Sequence, residues 1–309
     1  MSVARRASAV GHTVRGWAVF PCGTPTDDHG HPAGSASDCE RCKAEKAPRR
    51  GWKWKERNSN DRAVISAHWP KDDPNLGVAC RASGLVVVDL DTAAHGAVIP
   101  PDWAAKGGIH EGADVLAYRA EEAGQPYPFE TYTVRTSSGG WHLYFQAPPD
   151  RAIPNSAGKI GPMVDVRGTA NADGQPGGGY VLGAGSIVGG AQYTVLHDVP
   201  PMPLPGWIAD LAAPTRPVPA VRRPIPARSN GEGRPHSRFV GLLDTVLSAP
   251  NGQRNNVLHW AACRAADMVA EGIVDQAAAV TALERAGESI GLGQREASAT
   301  IGSAFRTAA

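Results

Sequence analysis

No excess of charge of either sign marks this chain: 31 Lys and Arg stand against 30 Asp and Glu, a formal net charge of +1. Bulk electrostatics therefore give no argument for a nucleic-acid partner. Long apolar runs are missing as well, and nothing approaches the roughly 20 residues needed to cross a bilayer. Arg5 and Arg6 lead into a short mixed segment instead of a signal peptide's apolar core, so no membrane partner is expected and the expected location is the cytoplasm. Cysteine is scarce: five residues, unevenly spaced, do not make a disulfide framework. A Gly-x4-Gly-Lys-Ser/Thr phosphate loop is also lacking, since Gly158-Lys159 is followed by Ile160.

Glycine and proline are plentiful, at 36 and 26 residues, and the chain is 42% hydrophobic. That composition suits a globular protein with many turns and at least one linker. Its 309 residues allow one sizeable core and a smaller unit. Charge is concentrated locally, with eight Lys/Arg against two Glu between Arg41 and Arg57 and Trp52 and Trp54 interleaved. Cations beside flat rings suit a phosphate backbone and its bases, and a solvated loop with two half-buried tryptophans fits the stretch equally well.

Residues 2–16 read as a short helix and Trp17–Phe20 as a strand. Residues 22–50 read as polar and irregular. A helix capped by Asn60 or Asp61 runs to Trp69, where Pro70 stops it. Gly84–Asp91 is the clearest strand. Residues 102–123 are helix-compatible, and Thr131–Thr136 and Trp141–Phe145 form a hairpin around Ser137-Ser138-Gly139-Gly140. Met163–Arg167 and Tyr180–Leu182 are further strands. Residues 213–235, with six Pro and five Arg, cannot bury a core and read as a linker. Alanine-rich helical spacing follows, so 236–309 is expected to be a bundle of about four helices.

Strand alternation puts Leu85, Val87, Asp89 and Asp91 on one face. Two carboxylates at the end of an apolar strand repel each other unless a cation sits between them, and a hard divalent ion fits that need. By itself an Asp-x-Asp is equally a strand end with a turn cap. Two more segments change the balance. In Met163–Arg167, Asp165 and Arg167 share a face, adding a third carboxylate and a guanidinium suited to phosphate. In Ser138-Gly139-Gly140-Trp141-His142, turn amides, a hydroxyl and an imidazole can hold phosphate oxygens.

Taken in chain order, Asp89-x-Asp91, Ser138-Gly-Gly-x-His142 and Val164-Asp165 resemble the three motifs of the archaeo-eukaryotic primase superfamily, most closely the bifunctional primase/polymerase domain of actinobacterial, phage and plasmid replication proteins. Trp17–Pro21, Gly51-Trp52-Lys53, Trp69-Pro70, Pro74–Val78, Gly178–Leu182 and Ser186 extend the resemblance over about residues 10–212. It implies an α+β fold with an RRM-like antiparallel sheet in a catalytic domain at 1–212, followed by a small all-α bundle. It implies DNA primase/polymerase activity, making or extending primers in phage, plasmid or mobile-element replication by two-metal catalysis. Asp89, Asp91 and Asp165 would hold two Mg²⁺ or Mn²⁺ ions. Ser138, Gly139, Gly140, His142 and Arg167 would bind the nucleoside triphosphate. Local charge points to Arg49, Arg50, Trp52 and Lys53 for the single-stranded DNA template.

The insertion at 22–50 holds Cys22, His29, His31, Cys39 and Cys42, including a Cys-x2-Cys pair. Tetrahedral zinc needs four donors. Cys22, His31, Cys39 and Cys42 are the expected set, against unbound surface cysteines. Cys80 and Cys263 are expected in the core. The bundle resembles the helical domain that often follows primase-polymerase domains, notably at Gly252–Asn256, and the missing phosphate loop makes a separate helicase the expected partner. A non-catalytic replication-initiation module and a metal-dependent nuclease or phosphoesterase are the alternatives.

Overall fold

The computed structural model describes residues 4–26, 29–32, 39–92 and 99–213, then 239, 242–243, 245–247, 249, 254–270 and 272–308. The proline- and arginine-rich 213–235 lies outside the described residues, apart from its first position. The chain divides into two compact units, residues 1–101 with 109–220 and residues 102–108 with 221–309.

The first unit is α+β. Its strands are β1 (Val19–Pro21), β2 (Leu76–Ala79), β3 (Leu85–Leu90), β4 (Thr133–Arg135), β5 (Trp141–Gln146), β6 (Ser156–Gly161) and β7 (Val164–Arg167). After these come β8 (Tyr180–Leu182), β9 (Ile187–Val188), β10 (Ala191–Gln192), β11 (Thr194–His197) and β12 (Met202–Pro203). Its helices are α1 (Ala4–Val14), α2 (Glu40–Lys46), α3 (Trp54–Arg57), α4 (Arg62–His68), α6 (Gly112–Glu122) and α7 (Gly206–Ala212), while α5 (Pro101–Ala104) belongs, after its first residue, to the second unit.

The larger sheet runs β11-β4-β5-β3-β7-β6, with β12 added in parallel at the end of β5; the smaller runs β1-β2-β8, and β9 and β10 form a hairpin. β3 sits at the centre of the large sheet, antiparallel to both β5 and β7. Val86, Val87 and Val88 are fully buried, as a strand covered on both faces requires. Leu85 and Val87 join Tyr132, Val134 and Tyr144 in a core shared with α1, β1, β2 and β8. Helix α6 lies against β3, β6 and β7, and α7 against β6.

Asp61 caps α4 by accepting from the amides of Ala63 and Val64, as its position before an apolar run predicts. The expected helix over 102–123 is two helices instead. Gly107 and Gly108 both adopt positive φ, 71° and 66°, which ends one helix before Glu111 and Asp114 open the next with a capping box. Residues 22–50 are not wholly irregular, because α2 forms within them.

Gly112, at the start of α6, allows the closest packing near the end of β3. A Cβ there would stand 2.2 Å from Met163 O and 3.0 Å from Asp91 N. Gly112 also donates its N–H to Asp91 O at 2.8 Å. Gly112→Ala is expected to cost about 2 kcal/mol or more, by forcing α6 off the sheet. Chemical denaturation checks it; a loss under about 0.5 kcal/mol would show that the helix can retreat freely.

In the second unit α8 (Arg254–Ala270), α9 (Gln276–Ser289) and α10 (Gln294–Ala308) pack pairwise. Phe239, Leu242, Leu243 and Val246 are helical too, in line with the expected fourth helix. Asp275 caps α9 through the Ala278 amide, and Gly291, at φ 89°, follows its end. Cys80 is fully buried as expected, whereas Cys263 is only half-buried.

Candidate active site

The register of three strands builds the site. Asp89 on β3 lies directly opposite His142 on β5 and directly opposite Asp165 on β7. One row across the sheet therefore reads His142, Asp89, Asp165, with side chains on the same face. The next row reads Tyr144, Val87, Arg167. His142 Nε2 stands 3.3 Å from Asp89 Oδ1. Arg167 Nη2 stands 3.0 Å from Asp165 Oδ2 and 3.8 Å from Asp89 Oδ2.

Asp91 follows β3 and is held by its backbone, which donates to Met163 O at 2.9 Å and accepts from Gly112. The Ser137–Gly140 turn packs against the same strand end. Gly140 lies so close that a Cβ would stand 2.3 Å from Leu90 O, and Gly139 has φ 90°. Thr92 Oγ1 donates to Ser138 O, and the hydroxyls of Ser138 and Thr136 are 3.2 Å apart. The turn, the row of acids and His142 thus meet at one end of β3.

The electrostatics fit a cation site. Burial, followed by the charges of Asp89 and Asp165, pushes the Asp91 carboxyl from an ordinary 3.8 up to about 6. Burial also opposes ionisation of Asp89, but His142 and Arg167 outweigh it and hold that carboxyl below the usual range. Asp165 is raised by burial against the pull of Arg167 and of the Gly158 amide, which donates to its Oδ1 at 3.0 Å. A carboxyl whose neighbours are carboxylates gains most from a divalent ion.

A family model described as "Prim-Pol: Bifunctional DNA primase/polymerase, N-terminal" matches residues 9–207. The chain belongs to this family. Membership makes its first unit a prim-pol domain of the DNA primase/polymerase nucleotidyltransferase type, with DNA and nucleotides as substrates. None of the curated proteins matches the chain. Among the described residues, no helix is long and apolar enough to cross a membrane.

The prim-pol domain distributes the four expected template residues unevenly. Arg50 and Lys53 are exposed, Lys53 standing 3.9 Å from Glu56. Arg49 is committed to Asp72 at 2.7 Å. Trp52 packs against the core, and the Arg57 guanidinium covers its ring at 4.3 Å from the centroid. Arg57 thus occupies one face of the half-buried Trp52 ring. Trp54, half-buried, stacks on the buried Phe20.

The expected zinc donors are corrected. Cys22 is fully buried beside β1, where burial drives its thiol well above the ordinary range. His29 takes its place. His29, His31, Cys39 and Cys42 form the one group of metal-donor side chains, among the described residues, whose ligand atoms all lie within 4.8 Å of one another. His29 Nδ1 is 3.6 Å from Cys39 Sγ and 3.4 Å from Cys42 Sγ, and His31 Nε2 is 3.5 Å from Cys42 Sγ. A tetrahedral Zn²⁺ with ordinary bond lengths separates sulfur and nitrogen donors by about 3.6 Å.

Both imidazoles are oriented from behind. His29 Nε2 meets the buried Glu45 Oε1 and Thr26 O, each at 3.0 Å, and His31 Nδ1 meets Pro32 O at 2.8 Å. These acceptors take the proton of the outer nitrogen and leave the inner lone pair toward the sulfurs, as metal-bound histidines require. The Cys42 amide, then His29, lower the Cys39 thiol to about 6, favouring thiolate. Cys39-x2-Cys42 was legible from spacing. Choosing His29 over Cys22 was not, because both lie at workable distances along the chain and only the fold buries one of them. Glu45 carried no signal beyond its place three residues after Cys42.

Proposed function

We propose that the prim-pol domain is a template-directed nucleotidyltransferase that makes primers, extends them, or does both, within DNA replication. Asp89, Asp91 and Asp165 hold two Mg²⁺ or Mn²⁺ ions. Those ions, when bound, activate the attacking 3′-hydroxyl and stabilise the departing pyrophosphate. The Ser138–Gly140 turn offers its amides and a hydroxyl to the triphosphate, the His142 imidazole can bind it beside them, and Arg167 supplies positive charge. Exposed Arg50 and Lys53 belong to the template path. A Zn²⁺ ion held by His29, His31, Cys39 and Cys42 pins the insertion and has no part in the chemistry. The α8–α10 unit assists priming, and unwinding falls to a separate helicase.

The observation that supports this reading is the single row of His142, Asp89 and Asp165 across β5, β3 and β7, with Asp91 one alternation further on. Asp89, Asp91 and the distant Asp165 gain nothing for stability by meeting on one partly buried face, unless a cation joins them. The test is incubation with single-stranded DNA, labelled nucleotides and Mg²⁺ or Mn²⁺. Products whose sequence follows the template are expected, and cleavage of the strand without synthesis would transfer the site to hydrolysis.

Asp91 gives a pH-dependent check. Its folded-state pKa of about 6 lies above the ordinary 3.8. The folded protein therefore holds this proton more tightly than the unfolded chain, and Asp91 reduces stability increasingly as pH rises from 3.8 to about 6. Above that window the cost is complete, roughly 1–3 kcal/mol. Asp91→Asn should raise the melting temperature in EDTA at pH 8 and change it little at pH 4, while losing synthesis. An Asn variant no more stable at pH 8 would refute the crowding of charge at this position.

A further inference from the structure

One carboxylate links the zinc donors to the rest of the domain. Glu45, near the end of α2, is only 2% exposed. Its Oε1 accepts from His29 Nε2 at 3.0 Å and from the Thr26 amide at 2.6 Å. Its Oε2 accepts from the Gly189 amide at 3.0 Å. Gly189 and Gly190 join β9 to β10, and their φ values of 58° and 76° are the paired positive angles that a tight two-residue hairpin turn requires. Among the described residues, Glu45 is the one side chain that bonds both a zinc donor and this hairpin.

The hairpin leads to the acidic row. Tyr193 follows β10 directly and is fixed by two backbone bonds, its N–H to Ser186 O and the Gly185 N–H to its own carbonyl, both 2.8 Å. Its buried ring stands 5.7 Å from the His142 ring, centroid to centroid. His142 Nδ1 is buried and has no hydrogen-bond partner among the described residues. The imidazole is therefore seated by Asp89 at its other nitrogen and by the rings of Tyr144 and Tyr193. In a close-packed interior, a displaced Tyr193 displaces His142 with it.

We infer that Glu45 is a positioning residue for the triphosphate site, passing the order of the zinc donors through the β9–β10 hairpin to Tyr193 and so to His142. The inference rests on the nucleotidyltransferase reading above. An imidazole with a metal ion on Nδ1 donates more strongly from Nε2 and fixes the plane of the carboxylate it meets. That plane also sets where Oε2 receives the Gly189 amide, because the two oxygens of one carboxylate turn together. With the donors unfilled, the His29 ring is free to turn, and Glu45 loses one of the bonds that hold its plane. The Asn75 side chain also joins α2 to β9, through Glu45 O at 3.2 Å and the Ile187 backbone at 2.7 and 2.8 Å, but it bonds no zinc donor. Asn75 thus keeps the hairpin folded and leaves the coupling to Glu45.

The experiment uses the full chain as wild type, Glu45→Gln, Tyr193→Leu and the double variant. It reads zinc affinity by competition with a chromogenic chelator, and affinity for a non-hydrolysable nucleoside triphosphate in Mg²⁺. Glutamine keeps the volume but must turn its NH₂ toward one of two sets of donors, His29 with Thr26 or Gly189. Glu45→Gln should weaken zinc binding at least about tenfold and triphosphate binding about fivefold, with KM rising by a similar factor and kcat changed far less. Tyr193→Leu should weaken the triphosphate as much and leave zinc affinity unchanged, and the double variant should bind triphosphate no worse than either single one. Wild type stripped of zinc and then supplied with Mg²⁺ should show the same triphosphate loss, which covers a variant that fails to fold. Triphosphate affinity within about twofold of wild type, in Glu45→Gln or in the zinc-free wild type, overturns the inference. So do losses that add in the double variant, because the two residues would then act separately. A wild type that binds zinc but no triphosphate overturns the nucleotidyltransferase reading itself, and the inference with it.

Discussion

Replacing Asp89 with Asn is expected to reduce template-directed synthesis by about 10³-fold or more, equivalent to at least about 4 kcal/mol of transition-state stabilisation. Asp89 occupies the middle of the row, facing His142 at 3.3 Å and Arg167 at 3.8 Å, with Asp165 opposite. Asn keeps the shape and most of the polar contacts but removes the charge shared by metal, imidazole and guanidinium. Asp165→Asn should fall almost as far and should remove the 3.0 Å ion pair of Arg167, leaving it the one with Asp89 at 3.8 Å. Both variants should keep wild-type affinity for single-stranded DNA, which relies on other residues. Primer-extension rates check the prediction, and residual synthesis within tenfold of wild type would place catalysis elsewhere.

Removing the sulfurs of the insertion should have the largest effect on metal content and stability. Cys39→Ser with Cys42→Ser leaves two imidazoles and no thiolate, which is too few donors for a closed zinc site. Bound zinc should fall from about one equivalent to under a tenth, with a drop of at least about 10 °C in melting temperature. Losing the ion also strands His29 against the buried Glu45, whose carboxylate accepts from the amides of Thr26 and Gly189. Cys22→Ala separates the two donor sets. It should lose some packing energy yet keep its zinc, and loss of zinc in that variant would restore Cys22 to the ligand set.

Much of this architecture could be read from the chain. Strand alternation placed Asp89, Asp91 and Leu85 on one face, and the valines of Met163–Arg167 set Asp165 beside Arg167, because period-two patterns report directly which face is buried. What alternation cannot report is pairing. That Asp89 faces both His142 and Asp165 is a property of register between strands distant in sequence, supplied here by family resemblance and made explicit by the fold. Short strands such as β9, β10 and β12, of two residues each, carry no period to detect. The surroundings of Trp52 were not legible for a related reason. A tryptophan among cations has the same composition whether its ring faces solvent or lies under Arg57.

The account depends on Asp165 joining the other two acids at a common ion, although it is drawn toward Arg167 and the Gly158 amide. The most direct measurement is anomalous scattering from crystals grown with Mn²⁺ and a non-hydrolysable nucleoside triphosphate. Manganese should lie between Asp89, Asp91 and Asp165, with the triphosphate reaching the Ser138–Gly140 turn. Manganese held without Asp165, or by none of the three, would contradict the account.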